Sequence, residues 1–262
     1  MKLCANLSML FTELPLLERI QAAAEAGFAG VEIQFPYEVP AAELQDALQR
    51  TAMPLVLINL PAGDLMSGGP GLAAVPQRQA EFDAALAQAL AYAQVVHPQC
   101  VNVLPGRLAE GVAREVALAT LVGNLRRTAE AFAPLGIKVL AEAINPLDMP
   151  GFLINTPQHL LELIAAVDHP NFAAQLDFYH MARQGLQLPA CIGALAGRIG
   201  HVQFADCPGR GAPGSGALAF ADALAALRAS GYDGWLGAEY NVGEVGTAAS
   251  LGWLAQWRSE GV

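Results

Sequence analysis

Basic charge is scarce in this sequence. Of 262 residues, 14 are Lys or Arg against 24 Asp or Glu, a net charge of −10. That balance repels phosphate backbones and argues against a nucleic-acid partner. Cysteine is also sparse: Cys4, Cys100, Cys191 and Cys207 stand singly, with no CxxC pair. This excludes a zinc knuckle or a dithiol redox centre and leaves buried, reduced thiols as the expectation for the first three. No apolar run reaches the length of a bilayer span, so no membrane partner is expected. The N-terminal "MKLCANLSML" reads as opening directly into the fold, so no cleaved signal peptide and a cytoplasmic location are expected. Glycine-rich stretches are present, but none matches GxGxxG or a P-loop, so no nucleotide cofactor is indicated.

What the chain does have is apolar residues, 54% against 15% charged, enough for one large core. They fall into a recurring unit: a short β-rich run, a polar loop, then an Ala/Leu-rich amphipathic stretch. The runs are Leu3–Leu7, Gly30–Ile33, Leu55–Asn59, Cys100–Leu104, Ile137–Glu142, Phe172–Asp177, Ile199–Phe204 and Trp235–Glu239. The helical stretches are Leu16–Ala26, Ala41–Gln49, Gln77–Gln94, Ala113–Phe132, Pro157–Val167, Pro189–Ala196, Ala219–Ala229 and Thr247–Gln256. Parallel strands need helical crossovers, and strands covered on both faces read as uniformly apolar. Eight such units in a chain of 262 residues predict an α/β fold: a single-domain (β/α)8 TIM barrel over residues 1–262 rather than an open sheet.

Active sites of such barrels form at the C-terminal ends of the strands. There the fifth run ends on Glu142, the sixth on Asp177, the seventh near Gln203 and the eighth on Glu239. Carboxylates converging in one mouth repel one another, and a divalent cation relieves that cost by accepting oxygens from each. The Gln203 amide adds a neutral oxygen. An all-oxygen set favours Mg²⁺ or Mn²⁺ over zinc. Any one acid at a strand end is more often a loop residue or a helix cap; four in phase on adjacent strands point to a shared site.

Around these lie candidate substrate contacts. His201 precedes Gln203 by two residues and so shares its face, while His180 follows Asp177 at what reads as the start of a loop. Arg107 and Arg210 are rim cations suited to an anionic substrate. His97, His159 and His169 are read as structural. Two glycine-rich loops, Asn59–Gly71 and Asp206–Leu218, follow the third and seventh runs and could close over a substrate.

The segments "ANLSMLF", "GFAGVEIQFPYE", "NLPAGD", "INPLDMPGF", "LDFYHM", "HVQFAD" and "GWLGAEY" together resemble the hydroxypyruvate isomerase family, within the xylose-isomerase-like barrels. The match runs in register along nearly the whole chain. It implies a TIM barrel, a divalent metal held by Glu142, Asp177, Gln203 and Glu239, and interconversion of hydroxypyruvate and tartronate semialdehyde. The sequence departs from the family pattern at several rim positions. It reads "AEAIN" with Ala143 where proline is usual, "GGPG" where "GERG" is common, Ile58 where His is frequent, "APGSGA" for "EPGTGE", and Asn241 for Lys. The cage is kept while rim charges are lost, which makes a related keto acid such as 2-oxotetronate, or a larger neutral sugar, a competing substrate.

The expected chemistry is proton transfer through an enediolate, with Glu142 and Glu239 as the catalytic pair. A hydride shift is the mechanistic alternative. A nuclease of the same barrel superfamily would need more histidine at the strand tips and a basic face, and a non-catalytic sugar-acid binder would have no need of the cage. The expected partner is a small hydroxy-keto compound; the sequence leaves homo-oligomerisation open.

Overall fold

Eight parallel strands close on themselves in sequence order, each hydrogen-bonded to the next and β8 to β1, in a computed structural model that describes residues 1–259 and 261. The strands are β1 (Lys2–Asn6), β2 (Gly30–Ile33), β3 (Leu55–Asn59), β4 (Cys100–Asn102), β5 (Lys138–Glu142), β6 (Phe172–Asp177), β7 (Ile199–Phe204) and β8 (Trp235–Ala238). Around them run α1 (Leu16–Ala26), α2 (Ala41–Thr51), α3 (Gln79–Val96), α4 (Arg114–Phe132), α5 (Pro157–Val167), α6 (Phe178–Arg183), α7 (Leu188–Ala194), α8 (Phe220–Ala229), α9 (Gly246–Ser250) and α10 (Gly252–Ser259). This is the (β/α)8 barrel that the repeating unit predicts.

Three differences from the sequence expectation have local causes. The stretch read as one final helix is two, α9 and α10, broken at Leu251. Gln77 and Arg78 belong to a short 3₁₀ turn, Pro76–Arg78, that leads into α3. Most relevant to the site, α6 follows β6 without a loop, so His180 is helical. Its six residues, FYHMAR, are too few to show a 3.6-residue period. What starts it is Asp177, whose side chain accepts from the backbone N–H groups of Tyr179 and His180.

Strand alternation divides each inward face from each outward one. On β7, His201 and Gln203 point into the barrel while Val202 and Phe204 meet the helices. Phe204 packs against Trp257 and Trp253 of α10, with ring centroids 4.9 and 5.3 Å apart, which anchors that helix across the outer face of β7. Inside, the N-terminal end is plugged by Cys4, Val56, Leu57, Cys100 and Leu140 with Trp235. Above this lies a polar layer centred on Glu32, and above that the acidic mouth. Gly237 of β8 makes room for the middle layer: a Cβ there would stand 2.5 Å from a Glu32 carboxylate oxygen.

No helix among the described residues is long and apolar enough to cross a membrane. Cys4, Cys100 and Cys191 are buried free thiols.

Candidate active site

The ends of β5 to β8 bring Glu142, Asp177, Gln203 and Glu239 to one level of the barrel mouth, all buried. Carboxylate oxygens of Glu142 and Asp177 lie within 4.8 Å of each other and of the His180 ring. Glu142 and His180 line a cavity of about 90 Å³ together with Gln175, Gln203, Glu239 and Arg210, with Asp177 buried beside them. Phe35, Met66, Leu104, Ile144 and Met149 supply the apolar lining of the cavity.

The acids are not equally supported. Glu239 accepts from Arg210 at 2.9 Å, from Asn6 at 3.3 Å and from Gln34. Glu142 has only Asn102 Nδ2 at 3.4 Å and the His180 ring nitrogen at 3.7 Å. Asp177 spends Oδ1 on the backbone of α6, while its buried Oδ2 has no hydrogen-bond partner. Burial is the main cause that raises all three carboxyls above their ordinary range. Glu142 is pushed furthest, because the negative charges of Glu239 and Asp177 add to its burial. The Arg210 cation works against the shift at all three.

These observations fit a divalent cation. Three buried acids with raised proton affinity, an orphaned Asp177 Oδ2 and an orphaned Gln175 Oε1 form an oxygen-rich set short of positive charge. Oxygen donors of this kind suit Mg²⁺ or Mn²⁺. Gln175 escaped the sequence reading. The signal was there, since it precedes Asp177 by two residues on β6 and therefore shares its inward face. Its Nε2 donates to Gln203 Oε1.

Gln203 is held from below: its Nε2 donates to Glu32 Oε1 at 2.6 Å, which turns its oxygen away from Glu32. Glu32 also accepts from Asn6 at 2.9 Å, His201 at 2.7 Å and the Cys4 thiol at 3.5 Å. Burial would raise its carboxyl, but His201, Gln203 and Asn6 together outweigh that and hold it below the ordinary range. Cys4, Glu32 and His201 therefore bring three ligand types within 4.8 Å, yet the Glu32 oxygens are already saturated by donors. That triad is a hydrogen-bonded support.

The remaining sequence candidates separate. His180 lines the cavity; burial first, then the Arg210 cation, lower its pKa to about 4, so the ring is neutral near pH 7. His201 does not line the cavity and is buried in the layer below, bonded to Glu32. Arg210 lines the cavity, stacks over the Tyr179 ring at 5.2 Å and leaves its buried Nε without a partner. Arg107 faces elsewhere: its guanidinium donates to the backbone carbonyls of Leu65 and Gly69 at 2.8 Å each. It staples the loop after β3, a use of arginine that its position in the sequence does not announce. The loop after β7 is likewise tied down, not slack. Asp206 accepts from the N–H groups of Cys207, Gly214, Gly216 and Leu218. Arg210 rides on this loop in a left-handed conformation, φ 54°.

Comparison with known proteins agrees with this geometry. The xylose isomerase-like TIM barrel family model matches residues 20–257. The chain is 38% identical over 256 residues to the 2-oxo-tetronate isomerase of Pectobacterium atrosepticum, covering 98% of this chain and 97% of that one. It is 39% identical over 258 residues to the hydroxypyruvate isomerase of Escherichia coli, covering 98% and 100%. A Brucella melitensis structure described as an AP endonuclease, family 2, superposes with a TM-score of 0.93 at 38% identity, covering 98% of both chains. With its closed barrel, its acids at the strand ends and these matches, the chain belongs to the xylose isomerase-like TIM barrel family.

Proposed function

We propose that the protein is a metal-dependent isomerase of a small hydroxy-keto acid, with a four-carbon 2-oxotetronate-type substrate preferred over hydroxypyruvate. The observation that carries this reading is the set of three buried acids and two glutamine amides around an orphaned Asp177 Oδ2, facing a small cavity. A bound divalent cation would supply Lewis-acid polarisation of a substrate carbonyl and its neighbouring hydroxyl. Glu142, Asp177, Gln203 and Glu239 are the residues that would hold it, with Gln175 beside them.

The chain's own groups supply the proton chemistry. Glu239, hydrogen-bonded to Arg210 at 2.9 Å, takes the proton from the hydroxyl-bearing carbon. Glu142 returns a proton to the former carbonyl carbon. Between these steps the substrate is an enediolate; the hydroxyl proton is given up from its oxygen and a proton is regained on the former carbonyl oxygen, with the neutral His180 ring facing both oxygens. Arg210, which lines the cavity, offers its guanidinium to a substrate carboxylate. Among the described residues Arg210 is the one cation lining the cavity, which suits a substrate with one anionic end.

Support for the four-carbon substrate comes from two directions. 2-oxo-tetronate isomerases from three bacteria are 35 to 38% identical to this chain over nearly its whole length. The lost rim charges at Gly69, Pro70 and Asn241 also depart from the hydroxypyruvate isomerase pattern. Hydroxypyruvate is the second reading, favoured by the 39% identity to the E. coli enzyme. Turnover of 2-oxotetronate, hydroxypyruvate and several ketoses, with Mg²⁺ or Mn²⁺ and with a chelator, tests the proposal. The expected result is the highest kcat/KM on 2-oxotetronate, loss of activity with chelator, and solvent deuterium in the product. Complete retention of substrate deuterium would replace proton transfer with a hydride shift.

A further inference from the structure

Asn145 follows β5 in the loop Asn145–Pro146–Leu147–Asp148 and is completely buried. Its Oδ1 accepts from the backbone N–H groups of Leu147 at 3.1 Å and Asp148 at 2.9 Å. Main-chain N–H groups can only donate, so they fix which end of the amide is oxygen. The Nδ2 group must then face the other way, where it meets His180 Nδ1 at 2.8 Å and Asp148 Oδ2 at 3.1 Å. An NH₂ group has no lone pair to offer, so Nδ1 of His180 accepts and carries no proton. The ring's single proton is on Nε2. That atom stands 3.7 Å from Glu142 Oε1 and 3.8 Å from Asp177 Oδ2, at the edge of the cavity.

We propose that Asn145 is a positioning residue that locks His180 as the neutral Nε2–H tautomer, so that the ring gives the active site a hydrogen-bond donor and never a metal ligand. The surroundings hold both partners in place. Asp177 accepts from the His180 backbone N–H at 3.4 Å, and Asp148 accepts from the Tyr179 hydroxyl at 2.7 Å. Arg183 Nε lies 3.5 Å from the other Asp148 oxygen. Although Glu142, Asp177 and His180 form a compact triad, the histidine lone pair points out of it, towards Asn145. Any ion in the mouth is therefore held by oxygen atoms alone. The lock itself is independent of the proposed substrate; only the role of the donor, a hydrogen bond to an oxygen that gains charge in the enediolate, rests on that reading.

Long-range ¹H–¹⁵N spectra of the full chain labelled with [¹⁵N]histidine read the tautomer directly. His180 is assigned by the signals lost in His180→Gln. The wild-type protein should show the neutral Nε2–H pattern for His180, unchanged when saturated with Mg²⁺. In Asn145→Asp, a carboxylate faces Nδ1 and should draw the proton there, converting the pattern to Nδ1–H. With a substrate identified, kcat of this variant should fall about 10²- to 10⁴-fold with a much smaller change in KM. A wild-type Nδ1–H or imidazolium pattern overturns the proposal, as does loss of the Nε2 proton on adding Mg²⁺. An Asn145→Asp spectrum identical to wild type overturns it as well. If Asn145→Asp fails to fold, the wild-type spectra still decide. Lack of turnover on every keto acid would sink the proposed function but leave these spectra untouched.

Discussion

Two sets of buried carboxylates share the interior of this barrel and have been built in opposite ways. Glu32, in the middle layer, accepts hydrogen bonds from Cys4, Asn6, His201 and Gln203, and its carboxyl is held below the ordinary range. Glu142, Asp177 and Glu239, one layer up, are pushed above it, and Asp177 keeps an oxygen with no partner. The same residue chemistry at similar burial is thus satisfied at Glu32 and left wanting at Glu142 and Asp177. A saturated buried charge supports structure; an unsaturated cluster at the mouth of a cavity is prepared for a ligand. Asn6 joins the two, with Nδ2 shared between Glu32 and Glu239.

The contrast can be tested from either side. The largest effect should come from Glu142→Gln or Glu239→Gln. Each should cut turnover about 10²- to 10⁴-fold. Metal-free Glu239→Gln loses its pair with Arg210 and should melt lower, whereas metal-free Glu142→Gln should melt no lower than wild type, because mutual repulsion is relieved. Paired steady-state assays and thermal melts check this. Glu32→Ala should do the reverse to stability. It strands the donors of Asn6, His201 and Gln203 and should cost about 3–5 kcal/mol, read from urea denaturation. If the two layers prove interchangeable in these assays, the distinction fails.

Proton linkage sharpens it further. Raised folded-state values mean that folding favours the protonated mouth acids. The stability they lend is present below the ordinary carboxylate range and is lost as pH climbs through their raised values. Glu32 has the opposite sign: its contribution is present above the ordinary range and is lost as pH falls through its lowered value. Metal-free protein should therefore lose melting temperature as pH rises from that range towards neutrality, and Mg²⁺ should remove the slope. Melts from acid to neutral pH, with and without Mg²⁺, measure both limbs. The smallest effect belongs to Arg107→Ala. It leaves two loop carbonyls to water and should destabilise by about 1 kcal/mol, with a modest rise in KM and little change in kcat.

Several features were legible in the chain before folding. The repeating β-run and amphipathic stretch predicted the barrel, because a parallel sheet demands a crossover helix after every strand. The bounds of β2, β3, β6 and β7 agree with the apolar runs, since burial on both faces leaves a continuous signal. Glu142, Asp177, Gln203 and Glu239 stood out because a strand tip at the C-terminal face is a known location for chemistry. The helix α6 was not legible, because one Asp cap and six residues carry no period. Gln175 was legible only through its spacing, two residues before Asp177 on the same inward face of an otherwise apolar strand.

Arg107 and Arg210 make the division plain. Both are rim arginines beside glycine, and nothing in local sequence tells them apart. The fold turns one onto the backbone carbonyls of a loop and the other over Tyr179 towards Glu239. His180 and His201 part in the same way, one lining the cavity and the other tied to Glu32. The sequence by itself determined the architecture and the level at which the acids meet, because periodicity and strand polarity are local properties of a chain. Which groups are saturated, which are orphaned and where each proton resides was decided only by tertiary structure, because hydrogen-bond partners such as Asn145 for His180 come from different βα units.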